Sequence, residues 1–395
     1  MSSEDNLNDN ELSKKGIITL VLSRGLTQLP IAVAGLLLVD IALSFNVEVG
    51  IAGQISTAAG LFSIFFGLMM GILNVRFKHK SLLFTGILLY VLVAVSSYFA
   101  TSLSILIGVF SFVGIANATV IPMVNTLIGE LVSPDRRASA IGWTVGGMFL
   151  IYLIGMLVIG FIATMGWRMT MVIVMVPVGV LTGIMCRSYI PDQKTSSENE
   201  TSLRDLFRGY KNLLSNKSAI GVILGTILGF PAWYFYVVYG PSFYRQVFNL
   251  SASSISIALI FLIISGIIGS FTVGRLVKRT SEKTVLLSAT ASLGIITLIV
   301  FRIPSFWVTY FLTLIAMFSG GILLTVSNSF ALAQIPEYRG TMMSLHGVAD
   351  SSASVISAGL GGTLLLLYGY GGSSIVLGVT GLLSAIVLYL FTSNQ

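Results

Sequence analysis

The sequence predicts an all-α integral membrane protein, with twelve transmembrane helices in two parallel-repeat six-helix bundles. Three observations predict it. First, 55% of the 395 residues are hydrophobic and 9% are charged, with a mean hydropathy of +0.94. Soluble domains carry about 25% charge, and a water-soluble core cannot absorb this much apolar surface. Second, the apolar residues fall in continuous runs of about 20 to 28 residues, the length that carries a helix across a hydrocarbon core of about 30 Å. Backbone groups in lipid must bond internally, which leaves helices or a closed barrel. Barrel strands alternate apolar and polar residues, and these runs do not. Third, one template returns: GILNVRFKHK at 71–80 reappears as GRLVKRTSEK at 274–283, with Gly, Leu, Arg and Lys at the same four places.

The elements follow in order. Residues 1–15, MSSEDNLNDNELSKK, are polar and mixed in charge and read as a disordered cytoplasmic tail. The apolar run after Lys15 is too long for a signal-peptide core and lacks a small-residue cleavage site, so it reads as an uncleaved first span. Spans are expected near 16–43, 51–73, 81–101, 103–130, 138–165 and 169–188, which form the first bundle, 16–188. Residues 189–217 form a polar cytoplasmic linker, whose part from Leu203 to Leu214 has the composition of a surface amphipathic helix. The second bundle, 218–395, holds spans near 218–243, 252–276, 284–303, 305–334, 341–368 and 372–392.

Charge placement orients the chain. With the N-terminus in the cytoplasm, 18 Lys and Arg fall on the inner side. Arg168, Arg245 and Arg302 fall on the outer side, and Arg24 lies within the first span. This follows the positive-inside rule and places both termini in the cytoplasm of a cell-membrane protein. The formal charge of +7 is therefore topology signal and lipid-headgroup contact, not a nucleic-acid surface. A single cysteine, Cys186, and two histidines, His79 and His346, leave no disulfide and no multi-histidine metal centre. No cofactor is implied, and a monomer is the expected unit.

The repeat holds its register. Gly71 and Gly274, Arg76 and Arg279, and Lys80 and Lys283 are each 203 residues apart. SPDRR, ending at Arg137, returns as IPEYR, ending at Arg339, 202 residues on. Phe45-Asn46 returns as Phe248-Asn249, and Gly166-Trp167 as Gly369-Tyr370. Six spans per repeat keep the two halves in one orientation. Parallel repeats of this kind place a binding site near the membrane midplane and expose it alternately.

These residues resemble the major facilitator superfamily, in its drug- and sugar-efflux-like branch, over essentially the whole chain after the tail. Gly71, Leu73, Arg76 and Lys80 are similar to the family's G-x-L-x-D-R-x-G-R-K loop signature. Arg339, Gly340, Ser344, Leu345, Gly361 and Gly362 resemble its R-G-x-x-x-S-L…G-x-x-G-G pattern, and YGPSFYRQVFNLS its seventh-span exit. The resemblance implies a gating loop at Gly71, Arg76, Lys80, Gly274, Arg279 and Lys283, with Arg137 and Arg339. The signature acid is Val75 here and Lys278 in the second half, so the latch that the family's acid makes is absent. The arginine that proton-driven exporters carry early in helix 4 falls at Phe110. The exporters' G-P-x-x-G-G motif keeps Gly155 and Gly160 but has Met156 for its proline.

Ionisable groups deep in lipid cost about 2.5–3.5 kcal/mol each and mark function by default. Asp350 falls about ten residues into the eleventh span, with His346 one turn before it on the same face. The two are a candidate proton-coupling pair. The other readings are a structural hydrogen-bonded pair, or an Asp350 neutralised by Arg24. Arg24, about nine residues into the first span, either snorkels to headgroups, pairs with an acid, or binds an anionic substrate. Asp40 and Glu130, near span ends, read as interfacial. Gln28, Asn117, Ser319 and Asn328 are candidate polar lining of the substrate cavity, or helix–helix glue. Trp233 and Tyr236, after Pro231 in GFPAWYFYVVYG, are its candidate aromatic wall, or else part of the aromatic belt at the outer interface. Gly146-Gly147 and Gly359-Leu360-Gly361-Gly362 lie inside spans and read as helix-packing positions, not phosphate loops.

Together these predict a secondary active transporter of a small organic solute by alternating access. An exporter of drug-like or sugar-like compounds, an antiporter with proton coupling, is the leading form. An uncoupled facilitator, an importer of a small metabolite, and a non-transporting receptor on the same fold are the alternatives. The chain lacks HExxH, GxSxG and paired acids at membrane depth, which argues against an enzyme.

Overall fold

A computed structural model of the chain describes residues 12–192, 213, 215–334 and 339–392. The predicted tail up to Glu11, most of the linker with its proposed amphipathic helix, and residues 335–338 lie outside the described residues. Among the described residues there are helices and no strand.

The first part of the chain forms α1 (Lys14–Leu26), α2 (Leu29–Leu36), α3 (Leu38–Ser44), α4 (Val49–Ala52), α5 (Gln54–Arg76), α6 (His79–Tyr98), α7 (Leu103–Leu131), α8 (Pro134–Ile162) and α9 (Trp167–Tyr189). The second part forms α10 (Lys217–Val238), α11 (Gly240–Val247), α12 (Ala252–Arg279), α13 (Glu282–Val300), α14 (Phe306–Gln334) and α15 (Arg339–Phe391). Side-chain caps set several starts. Ser13, Ser102, Asn216, Ser251 and Ser281 each accept a hydrogen bond from a backbone N–H of the first turn.

Eleven helical segments among the described residues are long and apolar enough to cross a membrane, and the last, Met342–Phe391, runs 50 residues. At 1.5 Å per residue that is roughly 75 Å, more than twice a hydrocarbon core. Gly369, with φ 67° and ψ −175°, interrupts it. That backbone region is essentially restricted to glycine, so the segment is two spans joined at Gly369, which brings the spans among the described residues to the twelve that hydropathy predicts.

The duplication is visible in the backbone. Among the described residues, Asn46 (φ 51°) and Asn249 (φ 53°) are the non-glycine residues with positive φ, and Gly166 (φ 85°) and Gly369 (φ 67°) the glycines. Each pair is separated by 203 residues, the offset of the loop template. Short polar asparagine tolerates this conformation better than other non-glycine residues, which explains why both turns carry it.

Two compact units are present: Met1–Ala34 with Leu61–Glu198, and Gly35–Gly60 with Asn199–Gln395. Residues 35–60, which sequence order places with the first six spans, thus pack with the second unit. In the first unit α6 packs on α7 and α9, and α1 on α8 and α9. In the second, α13 packs on α14 and α15, α10 on α15, and α12 on α14, while α4 lies against α15. Small residues permit these approaches. A Cβ on Gly147 would meet Val21, and one on Gly50 would overlap the Gly362 carbonyl, so these contacts are made backbone to neighbour as expected for membrane helices.

Candidate functional site

In the second unit the chemistry gathers around α10, α14 and the first half of α15. Asp350 lies eleven residues past the start of α15, about 17 Å along the helix. The Tyr234 hydroxyl, on α10, lies 2.9 and 3.0 Å from its two carboxylate oxygens. His346 is buried, with Nε2 2.8 Å from the Ser327 hydroxyl of α14 and its ring edge-on to Phe230 at 6.3 Å. His346 and Asp350 share a face, yet no hydrogen bond or ion pair joins them. The hydrogen-bonded His–Asp pair that their spacing allows is not formed; each side chain instead bonds a hydroxyl of another helix, Tyr234 of α10 for Asp350 and Ser327 of α14 for His346.

Trp233, half-buried, lies on Gly320 of α14 so closely that a Cβ there would overlap its indole. Tyr236 is buried, receives a hydrogen bond from the Thr297 hydroxyl at 3.3 Å, and packs on the Phe301 ring at 5.1 Å. Ser319 is buried and bonded to Ser292 at 3.0 Å. Asn328 is exposed, its amide donating to the Leu324 carbonyl of its own helix at 2.7 Å. Within this unit Asp40 of α3 forms an ion pair with Arg245 of α11, whose Nη2 donates at 3.0 Å and whose Nη1 also donates to the Leu36 carbonyl at 3.1 Å. Asp40 is thus a paired acid that holds α3 on α11.

In the first unit Arg24 of α1 donates from Nη1 to the Asn125 Oδ1 of α7 at 2.9 Å. Its Nε is buried without a hydrogen-bond partner. Gln28, one turn on, donates from Nε2 to the Thr27 hydroxyl at 2.9 Å. Asn117 accepts from the Tyr90 hydroxyl at 2.5 Å, joining α7 to α6.

The repeated basic loops have a definite local role. Lys80 donates to the Arg187 carbonyl near the end of α9 at 3.1 Å and lies 3.5 Å from Asp192. Lys283 donates to the Tyr389 carbonyl at 3.0 Å and to the Thr392 carbonyl, at the end of α15. Each lysine therefore satisfies carbonyls that a helix end leaves free and complements the negative end of its dipole. Lys15 over the Tyr189 ring (5.1 Å) and Lys217 over the Phe391 ring (5.3 Å) repeat a second contact at those same ends. Arg76, Arg279 and Gly274 are exposed, and Arg137 donates from Nε to the Val132 carbonyl at 2.9 Å. The surroundings of Gly71 and the side chain of Arg339 lie outside the described residues.

The duplicated twelve-span architecture and the basic turns find their match in one family. The sequence model described as Major Facilitator Superfamily matches residues 20–343 and 248–395. The chain belongs to the Major Facilitator Superfamily. A relative, the uncharacterized MFS-type transporter YfmI of Bacillus subtilis (strain 168), is 20% identical over 310 residues, 72% of this chain and 73% of that protein. Among solved structures, a D-xylose-proton symporter superposes with a TM-score of 0.80 at 15% identity, covering 96% of this chain and 98% of the other. The nucleoside transporter NupG gives 0.78 at 14% identity over 95% and 98%. An inward-facing, unoccupied bacterial homologue of the human lysosomal transporter Spinster gives 0.76 at 17% identity over 95% and 94%. At these identities the superpositions establish the fold. Family and fold make this Major Facilitator Superfamily protein a multi-pass membrane transporter rather than an enzyme.

Proposed function

We propose that the chain is a secondary active transporter that exports a small drug-like or sugar-like solute by alternating access, coupled to protons through Asp350. The observation that carries the coupling is Asp350 itself: a half-buried carboxylate well inside a span, held by the Tyr234 hydroxyl and, among the described residues of its own unit, by no cation. An intramembrane carboxylate without a counter-charge is costly unless its charge can change. Uptake and release of a proton changes it. One proton moving down about 150 mV supplies about 3.5 kcal/mol, enough for a gradient of a few hundredfold. The half-buried Trp233 and the exposed Asn328 suit an amphipathic solute. Export follows the efflux-branch resemblance of the loop and eleventh-span motifs, and the excess of Lys and Arg on one side of the spans supports a cell-membrane protein with both termini in the cytoplasm. The replacement of both loop-signature acids, by Val75 and Lys278, favours an uncoupled facilitator as the second reading.

The test is proton movement in proteoliposomes with an entrapped pH-sensitive dye, under an imposed pH gradient, across a panel of sugars and drugs. The wild-type protein is expected to show solute-dependent proton flux, and Asp350→Asn to abolish it. Flux that persists unchanged in Asp350→Asn removes the proton assignment. Solute movement without proton movement selects the facilitator.

A further inference from the structure

We propose that Arg24 and Asn125 form a recognition site for one anionic oxygen group, a carboxylate, phosphate or sulfonate, borne by the transported solute. This rests on the transporter reading and narrows its substrate class. Arg24 lies ten residues past the start of α1, about 15 Å along the helix. Asn125 lies six residues before the end of α7, about 9 Å inside it. A guanidinium at such depth requires compensation, and its partner there is a neutral amide at 2.9 Å. Among the described residues of its own unit, Arg24 makes no ion pair. Of its five N–H donors, one is spent on Asn125, while Nε is buried and unspent.

Asn125 sharpens the preference. Its Oδ1 is engaged by Arg24, so the exposed amide offers its N–H donors beside the guanidinium. The cluster presents donors and positive charge, the complement of a carboxylate or phosphate oxygen pair. The scaffold holds it there. Val21 and Gly25 of α1 and Leu29 at the start of α2 pack against Gly147, Ile151 and Gly155 of α8, and a Cβ on Gly25 would come within 2.9 Å of the Ile151 Cβ. Arg24, on the other side of α1, is thereby left to α7, where it bonds Asn125. Gln28 spends one of its two amide N–H donors on Thr27, and the Thr27 hydroxyl donates to the Arg24 carbonyl at 2.7 Å, so this turn after α1 is held.

The test uses the purified full chain and thermal unfolding with charge-matched pairs: sodium benzoate against benzamide and benzylamine hydrochloride, sodium gluconate against glucose, and sodium phosphate against sodium chloride. At least one anionic member is expected to raise Tm by about 2–4 °C over its neutral or cationic counterpart. Arg24→Gln abolishes the rise, and Arg24→Lys, which keeps the charge but loses the planar fork, retains a smaller one. Should Arg24→Gln fail to purify as a single species, Asn125→Ala and the wild-type charge ranking decide. A second arm compares nanodiscs of neutral phosphatidylcholine with nanodiscs containing phosphatidylglycerol. Arg24-dependent stabilisation by the anionic lipid alone overturns the solute assignment, and so does an equal response to neutral members or a rise that survives Arg24→Gln. Neutral or cationic solutes that stabilise the protein and drive proton flux independently of Arg24 sink the anion site and leave the transporter standing. No response to any member, with no solute-dependent proton flux, removes both.

Discussion

A single phenol decides how Asp350 is held. Both carboxylate oxygens lie within 3.0 Å of the Tyr234 hydroxyl, which comes from another helix. Tyr234→Phe keeps the ring and removes the donor. A hydrogen bond to a charged group is worth about 1.5–3 kcal/mol, so the variant is expected to lose stability of that order, read as a lower thermal-unfolding midpoint. An unchanged midpoint would show that Asp350 finds another partner or binds its proton instead. At this scale the sequence exposes the charged residues and hides their partners. Arg24 and Asp350 stand out because each interrupts an apolar run. Tyr234 reads as one aromatic among several near a span end, and nothing local links it to the eleventh span. Asp40 and Arg245 do carry a signal: they are 205 residues apart, close to the repeat offset, with opposite charges at matching ends of duplicated spans.

At the scale of the element, glycine and asparagine set where helices stop. Gly369 separates two spans within a 50-residue helical run, at φ 67° and ψ −175°. A side chain there strains the backbone by about 1–3 kcal/mol. Gly369→Ala is expected to lower the unfolding midpoint, whereas Gly274→Ala, in open surroundings on α12, is expected to leave it nearly unchanged. Equal effects of the two would count against the break at Gly369. Spans of this kind are legible because lipid imposes a length and an apolar composition on each. The interruptions inside the first span, after Leu26 and Leu36, and inside the seventh, after Val238, are not. Hydropathy averages over a turn and cannot register a change of helical phase. The loop lysines lie between these cases. Their recurrence is plain in the sequence, yet their task of closing the carbonyl ends of α9 and α15 depends on helices about a hundred residues away.

For the whole molecule, the central prediction concerns sidedness. The one native cysteine, Cys186, is buried, so engineered cysteines report against a quiet background. Cysteines at Phe77 and Thr280, beside the two basic turns, are expected to react with a membrane-impermeant maleimide from the same face, the cytoplasmic one. Labelling from opposite faces would contradict the parallel repeat.

The sequence by itself determined the solvent, the number of spans, the duplicated register and the family. These follow from composition and from periodicities along one chain, which lipid enforces on each helix separately. Tertiary structure alone decided the partners: Tyr234 for Asp350, Ser327 for His346, Asn125 for Arg24, Arg245 for Asp40. It also decided that residues 35–60 pack with the second unit. A buried polar group must find a partner, but which one depends on how helices distant in sequence meet, and no local spacing records that.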